Sequence, residues 1–228
     1  MMFTIARTAF RRRRRACEPL LSVPIRYYVR TSTNAFDNFD NSVTIGDIKV
    51  DNPPRGSNAP HLVPNLPSRL EECHEDINAS LPPCHLSHLR WMLQKDMILG
   101  QDFLLLGTPN LARERRHLML LYAALLGREI EWVSVSRDTS EADLKQRKEV
   151  FNNGTRYVNQ APVRAALNGR LLVLDGLEKA ERNVLPTLNN LLENRELPLD
   201  DGSMLVSPDT YDAHKMGISV HPDFRVAA

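Results

Sequence analysis

Short apolar runs separated by longer segments of helical periodicity are the feature that most constrains the fold of this chain. The runs lie at 102–107 (DFLLLG), 130–136 (IEWVSVS), 170–175 (RLLVLD) and 224–228 (FRVAA). A strand that is covered on both faces reads as a continuous apolar run, so these segments predict buried strands of a parallel sheet. The sequence therefore predicts an α/β fold in which helices sandwich the sheet.

The segments between these runs predict the helices. One helix is expected within 85–96, a second over about 114–126, and a short third over 162–167. A fourth, over 181–192, is expected to bury five apolar residues: Val184, Leu185, Leu188, Leu191 and Leu192. Ser140 with Asp143 has the spacing of a helix capping box, and Asp201-Gly202 predicts a hairpin turn.

Basic charge is concentrated at the amino end of the chain. Residues 1–30 contain eight arginines and one acid, whereas the other 198 residues carry 21 bases and 27 acids. Such a tail suits a nucleic-acid or nuclear-import patch, a membrane-surface helix or an organelle transit peptide. Arg7, Arg11 and Arg14 fall on one helical face and the first lysine is Lys49, which favours a mitochondrial transit peptide over 1–35. The remaining acidic protein argues against duplex DNA as a partner.

Three regions are predicted along the chain. The transit peptide is followed by an irregular, proline-rich segment over 36–83, which contains a β-like run at 43–50, and then by a core domain over 84–228. No apolar stretch reaches the roughly 18–20 residues of a membrane span. Three cysteines are too few to staple a chain of 228 residues, which excludes a disulfide scaffold.

The first half of a candidate site follows the run at 102–107. In parallel sheets, ligands bind at the carboxyl ends of the strands, and helix N-termini attract anions there. The loop that leads into the next helix consists of Gly107, Thr108, Pro109, Asn110, Leu111, Ala112, Arg113 and Glu114. A phosphate loop of the G-x-x-x-x-G-K-[ST] type would have glycine, lysine and a hydroxyl at the last three of these positions. Only the first glycine and a positive charge are retained, so a plain strand-to-helix turn stays open as the alternative.

The second half follows the run at 170–175. Asp175 is placed like the acid that holds magnesium beside a phosphate loop, although a turn cap is the alternative role. The next position, where ATPases carry a glutamate that polarises water, is Gly176, and Glu178 is the nearby acid that we expect to substitute in part. The two half-matches lie 68 residues apart in the expected order, which strengthens both.

These residues belong to a wider resemblance. The segments DFLLLGTPN, SRDTSEADLKQRKEV, 154–208 and HPDFRVAA resemble one module of the dynein-related (midasin/MoxR-like) AAA+ ATPases, and more closely the N-terminal part of a mitochondrial member. The resemblance covers about 43–228 and is most specific over 171–196. It implies a P-loop NTPase sandwich with strand order 5-1-4-3-2, ATP with magnesium at Asp175, assembly into a homo- or hetero-oligomeric ring, and a matrix location. Gly107 to Glu114 would form the nucleotide loop.

Two functions are expected from this resemblance. The first is an ATP-binding module whose hydrolysis drives remodelling of an unidentified partner. The second is a nucleotide-stabilised structural ring module without turnover, which Gly176 favours, whereas Asp175 and Arg113 keep the first function open. Ala112, Glu114 and Gly176 are the positions that depart from the family pattern. The chain is also expected to be truncated, since it ends at Ala228 before the sensor, arginine finger and lid of such modules.

Two weaker alternatives stand beside these functions. The arginine run would serve a nucleic-acid-binding protein. The pairs Cys73-His74 and Cys84-His85, with His88, contain zinc donors, but their spacing matches no recognised zinc finger. Surface histidines are the simpler interpretation.

Overall fold

The computed structural model describes residues 42–45, 48–51, 53, 59–66, 81–151, 154–182, 184–211 and 217–228. The predicted transit peptide and most of the proline-rich segment lie outside this part of the chain. Within it, no helix combines the length and the apolar character that crossing a membrane requires.

The described residues form five α-helices and ten short strands. The helices are α1 (Pro83–Leu93), α2 (Ala112–Leu126), α3 (Glu141–Leu144), α4 (Ala161–Asn168) and α5 (Leu185–Glu193). The strands are β1 (Ser42–Ile45), β2 (Ile48–Asp51), β3 (Ile130–Ser134), β4 (Gln146–Phe151), β5 (Gly154–Asn159), β6 (Leu171–Asp175), β7 (Leu197–Pro198), β8 (Met204–Val206), β9 (Gly217–Ser219) and β10 (Arg225–Ala227). A π-helical turn, Gln94–Ile98, extends α1.

The central sheet is parallel and has the order β10-β6-β3. The run at 102–107 lies beside β10, where the amide of Phe103 donates to the Val226 carbonyl (3.1 Å) and the amide of Leu105 donates to the Ala228 carbonyl (2.7 Å). The spatial order is therefore first run, β10, β6, β3. This order confirms the 1-4-3-2 part of the arrangement that the resemblance implies.

The first run is not the fully buried strand that its sequence predicts. Phe103 is 6% exposed, but Leu104 is 50% exposed and Leu106 is 84% exposed. Among the described residues the run pairs with β10 alone, and that ladder ends at Leu105. Leu104 lies within this ladder and Leu106 lies beyond it, and no described element buries either side chain.

Helices and hairpins cover both faces of the sheet, as the α/β sandwich requires. Leu171 and Val173 of β6 point into a core formed with α1, α2 and the antiparallel hairpin β1–β2, where Val43 and Ile45 are buried. Leu172 and Leu174 of the same strand point the opposite way. They pack in a second core with residues of α4, α5 and β8.

Some local predictions need correction. The helix expected over 181–192 begins only at Leu185, with Pro186 in its first turn, and Leu185 is exposed rather than buried. Helix α3 has a single turn, because the chain continues directly into the antiparallel hairpin β4–β5. The Asp-Gly turn is confirmed, since Gly202 has a φ of +87° between β7 and β8.

Candidate functional site

The predicted loop connects the first run to the long helix α2. A 3-10 turn, Pro109–Leu111, leads directly into that helix, and residues 106–111 are all exposed. Arg115 folds back over the loop, where its Nη1 donates to the Thr108 carbonyl at 3.0 Å. A Cβ at Gly107 would lie only 2.8 Å from the same nitrogen, so a glycine lets Arg115 cross at this point. The loop is therefore open to solvent and fastened to α2 at its start.

The first turns of α2 are positively charged. No side chain caps the helix, and the amide of its first residue, Ala112, donates to the Pro109 carbonyl of the preceding 3-10 turn. Arg113, Arg115 and Arg116 lie in this region with one acid, Glu114. Arginines are unfavourable at a helix N-terminus, because they add to the positive end of the helix dipole. The arrangement does not serve helix stability, and it favours an anionic ligand.

Asp175, the last residue of β6, meets this helix directly. The Nε of Arg116 donates to the Asp175 Oδ2 at 2.6 Å, across 59 residues of sequence. The Asp175 side chain is 19% exposed and that of Arg116 is 54% exposed. The contact brings the two halves of the predicted site together. The side chain of Asp175 therefore accepts a hydrogen bond from Arg116, and this bond stands in place of the turn cap that was the alternative role.

The other predicted residues lie around this contact. Arg113 and Glu178 are exposed, the latter in the 3-10 turn Leu177–Lys179 that follows β6. Glu114 turns toward α1, where its Oε2 is 3.7 Å from the Nε2 of His85. The structure thus places the loop, α2 and Asp175 together, and it directs Glu114 to another helix.

Gly176 has a backbone that a glutamate would not adopt readily. Its φ is +85°, and a Cβ there would lie 3.0 Å from the Val135 carbonyl oxygen. The backbone at this position is left-handed, a conformation that glycine adopts readily, which is consistent with the absence of a glutamate here.

Arg116 is a site residue that the sequence pattern alone did not single out. It lies three residues after Arg113, a spacing that places both on one face of a helix. That spacing was the available signal, because a helix that begins at a phosphate loop presents one face to the ends of the strands.

The donor chemistry of the site fits a nucleotide and a magnesium ion. Phosphates suit the exposed loop and the basic start of α2. Carboxylate oxygen is a preferred magnesium ligand, and the Arg116 guanidinium already stands at Asp175 as a cation. The described residues contain no group of three or more His, Cys, Asp or Glu suited to a metal, so Cys84, His85 and His88 do not support the zinc alternative. The pair Cys73-His74 lies outside the described residues.

Comparison with known proteins gives three findings. The family described as AAA domain (dynein-related subfamily) matches residues 102–228. The chain is 47% identical over 173 residues to mouse (Mus musculus) von Willebrand factor A domain-containing protein 8, covering 75% of this chain and 8% of that protein. It is 29% identical over 120 residues to midasin of Giardia intestinalis, covering 52% of this chain and 2% of that protein. The chain thus spans less than a tenth of either relative.

A solved structure also resembles the chain at a lower level. It is that of a proposed ATPase from Cytophaga hutchinsonii, with a TM-score of 0.42 and 13% identity. The match covers 62% of this chain and 37% of that chain.

Proposed function

Because this chain belongs to the dynein-related subfamily of AAA domains, we propose that it binds ATP at the loop from Gly107 to Glu114. The observation that carries the proposal is the bond from Arg116 to Asp175. This bond joins the helix that begins at the loop to the carboxyl end of β6. Ligands of parallel α/β sheets bind at this edge.

Each element of the site has a proposed role. The amides that follow Ala112 in the first turn of α2 would donate hydrogen bonds to phosphate oxygens, and Arg113 would add a charge-assisted contact to the terminal phosphates. Asp175 would hold magnesium, which when bound neutralises charge between the phosphates. Glu178, three residues beyond Asp175, would orient water.

The wider proposal concerns the whole protein. We propose a mitochondrial matrix ATPase that assembles into a homo- or hetero-oligomeric ring and uses hydrolysis to remodel a partner. The arginine-rich residues 1–35 support the location.

A fluorescent reporter fused to residues 1–45 should enter mitochondria and be shortened. Replacing Arg11 to Arg15 with glutamine should leave the reporter in the cytosol. Nuclear accumulation of the unshortened reporter would contradict the mitochondrial location.

Gly176 supports a second candidate function, a ring module that nucleotide stabilises without turnover. The left-handed backbone at this position and its closeness to the Val135 carbonyl disfavour a water-polarising glutamate there. Under this alternative, ATP would bind and raise the melting temperature, while phosphate release would stay at background.

Nucleotide titration with turnover measured in parallel tests both functions. Arg113→Ala should weaken ATP binding by about 1.5–3 kcal/mol, because it removes a charge-assisted contact. Asp175→Asn should abolish the magnesium dependence of binding. Arg156→Ala is the matched control, since Arg156 is exposed on the hairpin β4–β5. Unchanged affinity and unchanged magnesium dependence in both site variants would contradict the proposed site.

A further inference from the structure

Arg116 bonds to one oxygen, Oδ2, of the carboxylate that the proposed site offers to magnesium. We infer that Arg116 and a divalent cation compete for Asp175, so that an arginine of α2 sets how strongly ATP binding depends on magnesium. The inference rests on the proposed function, because the metal would arrive with the nucleotide.

The competition follows from charge and distance. The Arg116 Nε lies 2.6 Å from the Asp175 Oδ2, so the guanidinium and the carboxylate are in direct, charge-assisted contact. A divalent cation at that oxygen would stand next to a guanidinium of the same sign. Like charges this close repel strongly where water screens them poorly, and Asp175 is only 19% exposed. A divalent cation that binds Oδ2 would therefore displace the Arg116 guanidinium from that oxygen.

Arg116 is able to leave. Its side chain is 54% exposed, so it can turn into water without a large desolvation cost. Asp175 is the acid with which it pairs among the described residues. Arginines such as Arg128, which is 2% exposed, have no such freedom. The contact is therefore a reversible competitor and not a permanent block of the site.

Position 114 makes Asp175 more important to the metal. In the usual phosphate-loop pattern, a hydroxyl at this position also binds magnesium. Here the residue is Glu114, and its carboxylate lies toward His85 on α1. With this second ligand directed elsewhere, the competition at Asp175 governs the metal more than it would in the usual pattern.

The test compares ATP affinity in excess Mg²⁺ with ATP affinity in EDTA. The proteins are the unaltered chain, Arg116→Gln, Arg116→Lys and the distant control Arg156→Gln. Glutamine removes the charge and keeps a polar side chain. The ratio of the ATP affinity in Mg²⁺ to the ATP affinity in EDTA should therefore rise about tenfold in Arg116→Gln. Lysine keeps the charge, so its ratio should stay near that of the unaltered chain, as should that of the control. Binding of Mn²⁺ in the presence of ATP, followed by electron paramagnetic resonance, should tighten by a similar factor in Arg116→Gln alone.

Two results would overturn the inference. If ATP binds but its affinity ratio is unchanged or lower in Arg116→Gln, Arg116 does not compete with the metal, and the proposed function stands. If none of the four proteins binds ATP with or without Mg²⁺, the proposed function fails and the inference fails with it.

Discussion

The two ends of the parallel sheet carry arginine–carboxylate pairs of opposite character. At the amino ends of the strands, Arg128 precedes β3 and pairs with Asp96, while Arg170 precedes β6 and bonds to Glu129 and Glu131. All five of these residues are buried. At the carboxyl ends, the pair between α2 and β6 is open to solvent on its arginine side.

The buried pairs fasten the molecule together. Arg128 also donates to the Asp223 carbonyl, and the Tyr122 hydroxyl donates to the Asp96 Oδ2 at 2.7 Å. Burial raises the pKa of Tyr122 well above its ordinary value, with the Asp96 charge adding to the effect, so the phenol stays a proton donor. The amide of Ala59 donates to Glu129 at 2.5 Å, which ties an N-terminal segment to the same end.

The difference shows how one sheet can separate stability from binding. A buried ion pair cannot exchange partners without leaving a charge unpaired in a medium of low polarity. An exposed pair can exchange its cation, because water receives the group that leaves. The amino end therefore holds the fold, whereas at the carboxyl end Arg116 can exchange its partner with water.

The largest expected effect is at the amino end. Arg128→Met should lower the free energy of unfolding by about 3–5 kcal/mol, because it leaves the Asp96 carboxylate buried without its main partner. Urea denaturation followed by circular dichroism measures the loss. The double variant Asp96→Leu/Arg128→Met should recover part of it, since both charges are then absent. A loss below about 1 kcal/mol in the single variant would show that the buried pair does not hold the amino end of the sheet together.

The next effect concerns the turn after β6. Gly176→Ala should lower the free energy of unfolding by about 1–2 kcal/mol, the cost of a left-handed backbone with a side chain. Its neighbour, the Val135 carbonyl, should increase that cost. Gly202→Ala is the control, because Gly202 has a similar φ of +87° and a Cβ added there would meet nothing within 4 Å. Equal losses in thermal melts of the two variants would mean that the Val135 contact is unimportant.

A smaller effect is expected for the exposed pair. Arg116→Gln should change the free energy of unfolding by less than about 1 kcal/mol, because an exposed arginine gains little from a partner that water can replace. The same urea experiment measures it beside Arg128→Met. A loss as large as that of Arg128→Met would remove the contrast between the two ends of the sheet.

The smallest effect is on the pH dependence of stability. Hydrogen bonds from Gln146 and Ser203 lower the pKa of Asp201 in the folded protein. The carboxylate therefore contributes stability at pH values above its unfolded pKa of about 4, and this contribution is lost as pH falls through the lower, folded value. Melting temperatures measured between pH 6 and 3 should fall less steeply for Asp201→Asn. An identical slope would show that this carboxylate adds nothing to the acid sensitivity.

The sequence predicted the strands of the sheet well, but it predicted poorly which apolar residues near the sheet edge are buried. Continuous apolar runs identified β3, β6 and β10, because burial on both faces leaves no room for polar residues. The same rule failed at Leu104 and Leu106, since a run does not reveal whether a second layer covers it. The start of α5 was predicted at 181 and lies at Leu185, since a proline such as Pro186 is tolerated in a first turn and does not by itself mark where the helix begins.

The candidate site divides in the same way. The loop at 107–114 and Asp175 were identified from spacing along the chain, because the order of strand, loop and helix is encoded locally. Their function as a nucleotide site stays a prediction. Arg116 as the partner of Asp175, and the turn of Glu114 toward His85, depended on which helix face meets which strand end.

The amino-acid sequence by itself determined the alternation of strands and helices, the basic start of α2 and the acid that ends β6, because each depends on residues near one another in the chain. Only the tertiary structure decided which charged side chains are buried in ion pairs and which are exposed to solvent. Burial of Arg128 and exposure of Arg116 arise from how α1, α2 and the sheet pack, over separations of tens of residues. An arginine has the same chemistry at both positions, and its surroundings determine whether it is fixed in the fold or can turn into water.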